Sequence, residues 1–91
     1  MKTFNLKQIK KFRKVFPELT TSEQLETAML FSLGLTKKEI AALREVSYKA
    51  VEVMLDHIKK RCQVHSINMM MALFQVRLVF FALSGCAVEN Q

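Results

Sequence analysis

The sequence predicts an all-α fold, a four-helix domain that ends in a long apolar helix and carries an extra basic helix at its N-terminus. Three observations lead there. Two glycines and one proline in 91 residues leave little material for turns, whereas Leu, Met, Ala, Glu, Lys and Gln, which lose little freedom in a helix, are plentiful. Apolar residues recur three and four positions apart, the helical period. A hydroxyl or amide side chain stands in front of each such stretch, where it can satisfy backbone N–H groups left over at a helix start. A chain of this length makes one domain and buries roughly 60 to 65 percent of its unfolded surface, so its core must be compact or shared.

Asn5 caps the first helix, whose stripe is Leu6, Ile9, Phe12 and Phe16 with the lysines outward, and Pro17 closes it. Thr21-Ser22-Glu23-Gln24 has the capping-box pattern, and the second helix runs from there to Leu33, stopped by Gly34. Thr36, with Glu39 three residues on, opens a short third helix with Ile40, Ala41 and Leu43 as its apolar side, fading near Arg44 and Glu45. Ser47 caps the fourth, over 47–62, whose inward stripe is Val51, Met54 or Leu55, Ile58 and Cys62. Ser66 caps the fifth, expected to end near Leu83 beside Gly85, a left-handed terminator. Fourteen of the seventeen residues from Ile67 to Leu83 are apolar, more than one buried face requires, so part of this surface is expected to meet a second subunit. The organisation is therefore a basic amphipathic helix over 1–17, the main domain over 18–84 and a tail over 85–91.

The formal charge of +6 is unevenly placed. Residues 1–14 hold Lys2, Lys7, Lys10, Lys11, Arg13 and Lys14 with no acid, and the remainder carries eight basic and eight acidic side chains. Basicity is a property of the N-terminal arm, read as a solvated face over an apolar stripe, then as a DNA-contacting arm, and last as an anionic-membrane surface. Cys62 and Cys86 form no disulfide framework and no secretory leader precedes Lys10, so a cytoplasmic setting is expected. The apolar window Ile67 to Leu83 is broken by Asn68, Gln75 and Arg77 and falls short of the roughly 20 residues that span a bilayer, so no membrane partner is expected.

Cys62 and His65 have a metal-like spacing, with His57 and Cys86 in reserve, but four converging ligands are not evident and no metal is assigned. Met69, Met70 and Met71 suit adaptable packing better than any cofactor box. No nucleophile, base and orienter form a set and no glycine-rich phosphate loop occurs, so neither enzyme activity nor a cofactor is expected.

From Gly34 to Val64 the chain resembles the LuxR-type (GerE- or FixJ-like) DNA-binding domain of bacterial transcription regulators. The residues that carry the resemblance are Gly34-Leu35-Thr36-Lys37-Lys38-Glu39-Ile40-Ala41, then Val46-Ser47, and without a gap Val51, Ile58, Arg61 and Val64, with Glu26 upstream. It spans about residues 20 to 72. It implies a four-helix domain in which the helix after Ser47 enters the major groove and the last helix dimerises. The family's Thr-Val-Lys is here Ala50-Val51-Glu52, its His is Met54, and its Arg between the last two helices is Ile67.

Carried over position by position, the base-reading residues are Glu52, Val53 and Asp56. Carboxylates can accept from the amino group of cytosine, but phosphate neutralisation must come from elsewhere. The candidates are Lys37, Lys38, Lys49, Lys59 and Lys60, with Ser47 and Tyr48 as hydroxyl donors; for the 59–61 run a solvated helix end is an equal reading. The expected dimer interface is Met70, Leu73, Phe74, Arg77, Phe80 and Phe81. Two functions compete: a transcription regulator that binds double-stranded DNA as a homodimer, and an interaction module that has lost or weakened DNA binding and modulates another transcription regulator by heterodimerisation through the C-terminal helix. No receiver or ligand-binding domain fits within residues 1–19, so, unless the chain is part of a longer protein, control is expected to come from expression, partner choice or the basic helix.

Overall fold

The computed structural model describes residues 4–89, and Lys2 of the basic arm lies outside the described residues. It is all-helical: α1 (Leu6–Val15), α2 (Ser22–Ser32), α3 (Lys37–Arg44), α4 (Tyr48–Arg61) and α5 (Ile67–Glu89). Each of the first three helices begins with a reciprocal capping box. The pairs are Asn5 with Gln8, Thr21 with Gln24 and Thr36 with Glu39. Ser47 and Ser66 cap α4 and α5 by accepting from the N–H groups of Ala50 at 3.0 Å and Met69 at 3.1 Å. Such a cap contributes about 1 kcal/mol, enough to fix where short helices start.

Three helices end in the same way, and only one of them with glycine. Gly34, Glu45 and Gln63 all take positive φ, at 94°, 57° and 57°. At each, two reversed hydrogen bonds close the helix, for example Val46 N–H to Ala41 C=O at 3.1 Å and Val64 N–H to Lys59 C=O at 3.3 Å. This is the left-handed termination motif, in which glycine is the unstrained choice. The residues Glu45 and Gln63 carry no such signature in the sequence. Conversely, Gly85, read as a terminator, lies inside α5, which continues to Glu89 and takes in much of the expected tail. Glycine permits a positive φ without demanding it, and within a helix it costs only about 1 kcal/mol against alanine.

One core joins all five helices. Phe16, Leu25, Ala28, Ile40, Val51, Leu55, Ile58, Met70 and Phe74 are essentially inaccessible, and the Phe16 and Phe74 rings meet edge-on at 4.7 Å. The inward stripe of α4 is Val51, Leu55 and Ile58, with Met54 and Cys62 at its margins. In α1 the stripe is Ile9, Phe12, Val15 and Phe16, whereas Leu6 stays 69 % exposed. The buried Thr27 hydroxyl of α2 is satisfied, because Arg44 of α3 donates to its Oγ1 at 2.7 Å.

Three of the residues expected at a dimer interface are used inside the chain. Met70 and Phe74 are wholly enclosed, so they offer no surface to a partner. The Arg77 guanidinium donates to both Glu18 carboxylate oxygens, at 2.7 and 2.5 Å, and to the Val15 carbonyl at 3.2 Å. A bidentate charged pair of this kind locks α5 onto the loop after α1. It also holds the Glu18 carboxyl below its ordinary pKa, through the hydrogen bond from Arg77. Leu73 is half-buried, while Phe80 and Phe81 remain exposed.

Candidate nucleic-acid interface

The turn Glu45-Val46-Ser47 joins α3 to α4. Its tightness comes from Glu45 in the left-handed region and from Ser47, whose hydroxyl oxygen accepts the cap bond while its hydrogen stays free to donate outward. With Val51, Leu55 and Ile58 held in the core, the helical period forces the intervening residues outward. Lys49, Glu52, Val53 and Asp56 line one shallow depression on this outer face. Tyr48, at its N-terminal edge, and Val53 are exposed as well.

The two carboxylates of this face are paired with lysines of the same unit. Glu52 meets Lys37 of α3 at 3.7 Å across the turn. Asp56 meets Lys60 at 3.0 Å and Lys59 at 3.8 Å, one turn on. The hydrogen bond from Lys60 holds the Asp56 carboxyl below its ordinary pKa, so it is ionised at neutral pH. Lys38 and Lys49 are exposed beside these pairs. Glu39 is engaged at the start of α3, its carboxylate accepting from the Thr36 N–H at 2.8 Å.

Across residues 36–60 six basic side chains stand against four acidic ones, so the surplus is small and its placement decides what the face attracts. The ion pairs are exposed and screened by solvent, so a polyanion can draw the lysines off. What remains is a face with cations at both ends and an acceptor-bearing, partly apolar middle. Arg61, the third basic residue of the 59–61 run, serves structure instead: its Nε donates to the Glu18 carbonyl at 3.0 Å.

Two features here escape sequence reading. The Lys37 to Glu52 pair bridges two helices, and no local spacing announces it. The second concerns α5, whose exposed stripe is Met69, Ala72, Val76, Val79 and Leu83, one position away from the stripe expected to dimerise. The signal was present as spacings of three and four, masked because nearly every neighbour is apolar too. No family model matches the chain, and no curated protein and no solved structure matches it.

Proposed function

We propose that the chain is a LuxR-type helix-turn-helix regulator of bacterial transcription, acting in the cytoplasm as a homodimer with α4 laid in the major groove of DNA. The observation that carries the reading is the α3–turn–α4 unit. Its inner stripe is locked into the core, and its outer face presents Lys49, Glu52, Val53 and Asp56 together between flanking lysines. A helix with one face so anchored can enter a groove without unfolding anything.

In this reading Lys38 and Lys49 neutralise phosphates at once, and Lys37, Lys59 and Lys60 do so as they leave Glu52 and Asp56. The Ser47 and Tyr48 hydroxyls donate to phosphate at the start of α4. Freed of their lysines, the two carboxylates accept from the amino group of cytosine, and Val53 packs against a thymine methyl. Two such helices in a dimer reach successive major grooves about 34 Å apart. Phosphate contacts supply the affinity and the carboxylates restrict it to cytosine-bearing sites.

The test is retention of a randomised duplex library by the purified chain at low salt. Enrichment of a two-fold-related motif is expected, and indifference to every duplex would overturn the reading. A second reading, an interaction module that regulates another transcription regulator by heterodimerisation through α5, is favoured by the two carboxylates in the middle of the face. Co-purification from the native host distinguishes it: a stoichiometric regulator on α5 supports this second reading, and a homodimer that enriches DNA excludes it.

A further inference from the structure

A helix that lies on a membrane surface needs an apolar face with cations along its edge, and α1 and α5 each hold one half of that pattern. In α1, Lys7, Lys10, Lys11 and Lys14 fall on one side of the helix, opposite Ile9, Phe12 and Phe16. All four are exposed, residues 1–17 contain no acid, and none of the four has an ion-pair partner among the described residues. Lys7 with Lys11, and Lys10 with Lys14, are like-charge pairs four apart, which weaken a helix until an anion covers them. The apolar side of α1, however, is spent in the core. α5 is the converse. Val76, Phe80 and Leu83 are 52 %, 66 % and 56 % exposed, and the only charged side chain from Ile67 to Ser84 is Arg77, engaged by Glu18.

The fold joins the two halves at one groove. Lys14 and Pro17 of the α1 end form one bank, and Val76, Phe80 and Phe81 of α5 form the other. Past Val76 and Phe80 the apolar surface continues as a trough over Ala72 and Val79. We propose that this α1–α5 face docks on an anionic phospholipid surface, with the α1 lysines against headgroup phosphates and Val76, Phe80 and Leu83 in the boundary of the acyl region. Sequence reading expects no membrane partner, because it weighs α5 as a span and α1 as a separate arm; the groove that brings Lys14 to Phe80 is a product of the fold.

Charge and shape favour a lipid surface over other occupants. Duplex DNA matches the lysines but leaves Phe80, Val76 and Leu83 without a partner. The stripe also does not extend the α4 face, since α1 packs against α2 and α5 whereas α3 packs against α2 and α4. Val76, Val79, Phe80 and Leu83 stand on the outer, convex side of a helix, which a fluid surface covers whole and a rigid partner covers only with a matching groove. Docking to a depth of about 5 to 10 Å also leaves the bundle intact. Crossing the bilayer would not: Ile67–Ser84 is long enough and has a mean hydropathy of 1.6, but Met70 and Phe74 would have to leave the core and Arg77 would have to leave Glu18.

Flotation of the full chain with vesicles of phosphatidylglycerol mixed with phosphatidylcholine, against phosphatidylcholine alone, tests the face. Binding to the anionic vesicles only is expected. Lys10→Ala with Lys14→Ala should weaken it about fivefold for each lysine removed, and Phe80→Ser at least about fivefold, both with unchanged helical circular dichroism because the positions are exposed. Lys38→Ala with Lys49→Ala removes the same charge from the α4 face and should weaken it less than the α1 pair does. The chain has no Trp, so Phe80→Trp is a clean reporter: its emission should shift to the blue with anionic vesicles, and not with duplex DNA or with rising protein concentration alone. No flotation, equal losses from the two lysine pairs, or indifference to Phe80→Ser would overturn the proposal, the last two by reducing it to bulk charge attraction. A blue shift without lipid, which places a second copy over Phe80, or an α1 lysine pair that matters for duplex and not for vesicles, would overturn it as well. The DNA reading stands or falls separately, on duplex enrichment.

Discussion

α4 and α5 pack against the same core, yet they show the solvent opposite surfaces. α4 is amphipathic: Val51, Leu55 and Ile58 are inside, while lysines and two carboxylates are outside. α5 is apolar all round, and only some of its side chains are enclosed. A helix with a single apolar stripe has a single way to lie against a core, and its outer face is then free for polar chemistry. A helix apolar on every side has no such constraint. Packing of the bundle chooses which of its faces is buried, and what is left stays exposed as an apolar patch.

The largest effect that sharpens this contrast is expected within α5 itself. Phe74→Ala removes a fully enclosed ring and its edge contact with Phe16, and should cost about 3 to 5 kcal/mol in chemical denaturation. Phe80→Ala, two turns along the helix on the exposed side, should change the same quantity by less than about 0.5 kcal/mol. Equal effects would erase the distinction between the two faces.

The clamp that orients α5 gives a smaller, pH-dependent effect. Glu18 has its pKa lowered by Arg77. Its contribution is thus fully present above the ordinary carboxylate value and is lost as pH falls through the lowered one. Because the pair is partly open to solvent, the effect should be about 1 kcal/mol. Urea unfolding at pH 7 and pH 3 should show the wild type losing more stability than Glu18→Gln, and equal losses would mean the pair is idle.

Helix ends give the smallest shift. Gln63→Gly relieves a left-handed non-glycine residue and should stabilise the fold by about 0.5 to 1 kcal/mol. Gly34→Ala has open space around the new methyl group but must hold φ at 94°, so it should destabilise by about 1 kcal/mol. Thermal unfolding of both variants checks the opposite signs.

The same contrast explains what could be read in advance. Caps are local chemistry, so Asn5, Thr21, Thr36, Ser47 and Ser66 announce all five helix starts. The stripe of α4 was legible because polar residues frame it. Helix ends were less so: Glu45 and Gln63 adopt a glycine conformation under pressure from the fold, and Gly85 does not use the freedom it has. Met70, Phe74 and Arg77 were assigned to a partner because a uniformly apolar helix does not say which side faces home. The Lys37 to Glu52 pair depends on how α3 and α4 approach, which their separate sequences do not encode, whereas the pairs of Asp56 with Lys59 and Lys60 lie within α4 at spacings of three and four.

The central claim is that the lysine-flanked outer face of α4 takes the phosphates of duplex DNA. A salt titration of duplex affinity for the wild type and for Lys38→Ala with Lys49→Ala tests it most directly. Affinity is expected to fall steeply with salt, and the logarithmic slope to become shallower by about one for each lysine removed per bound chain. A wild-type affinity that is salt-independent, or a slope the two substitutions leave unchanged, would contradict it.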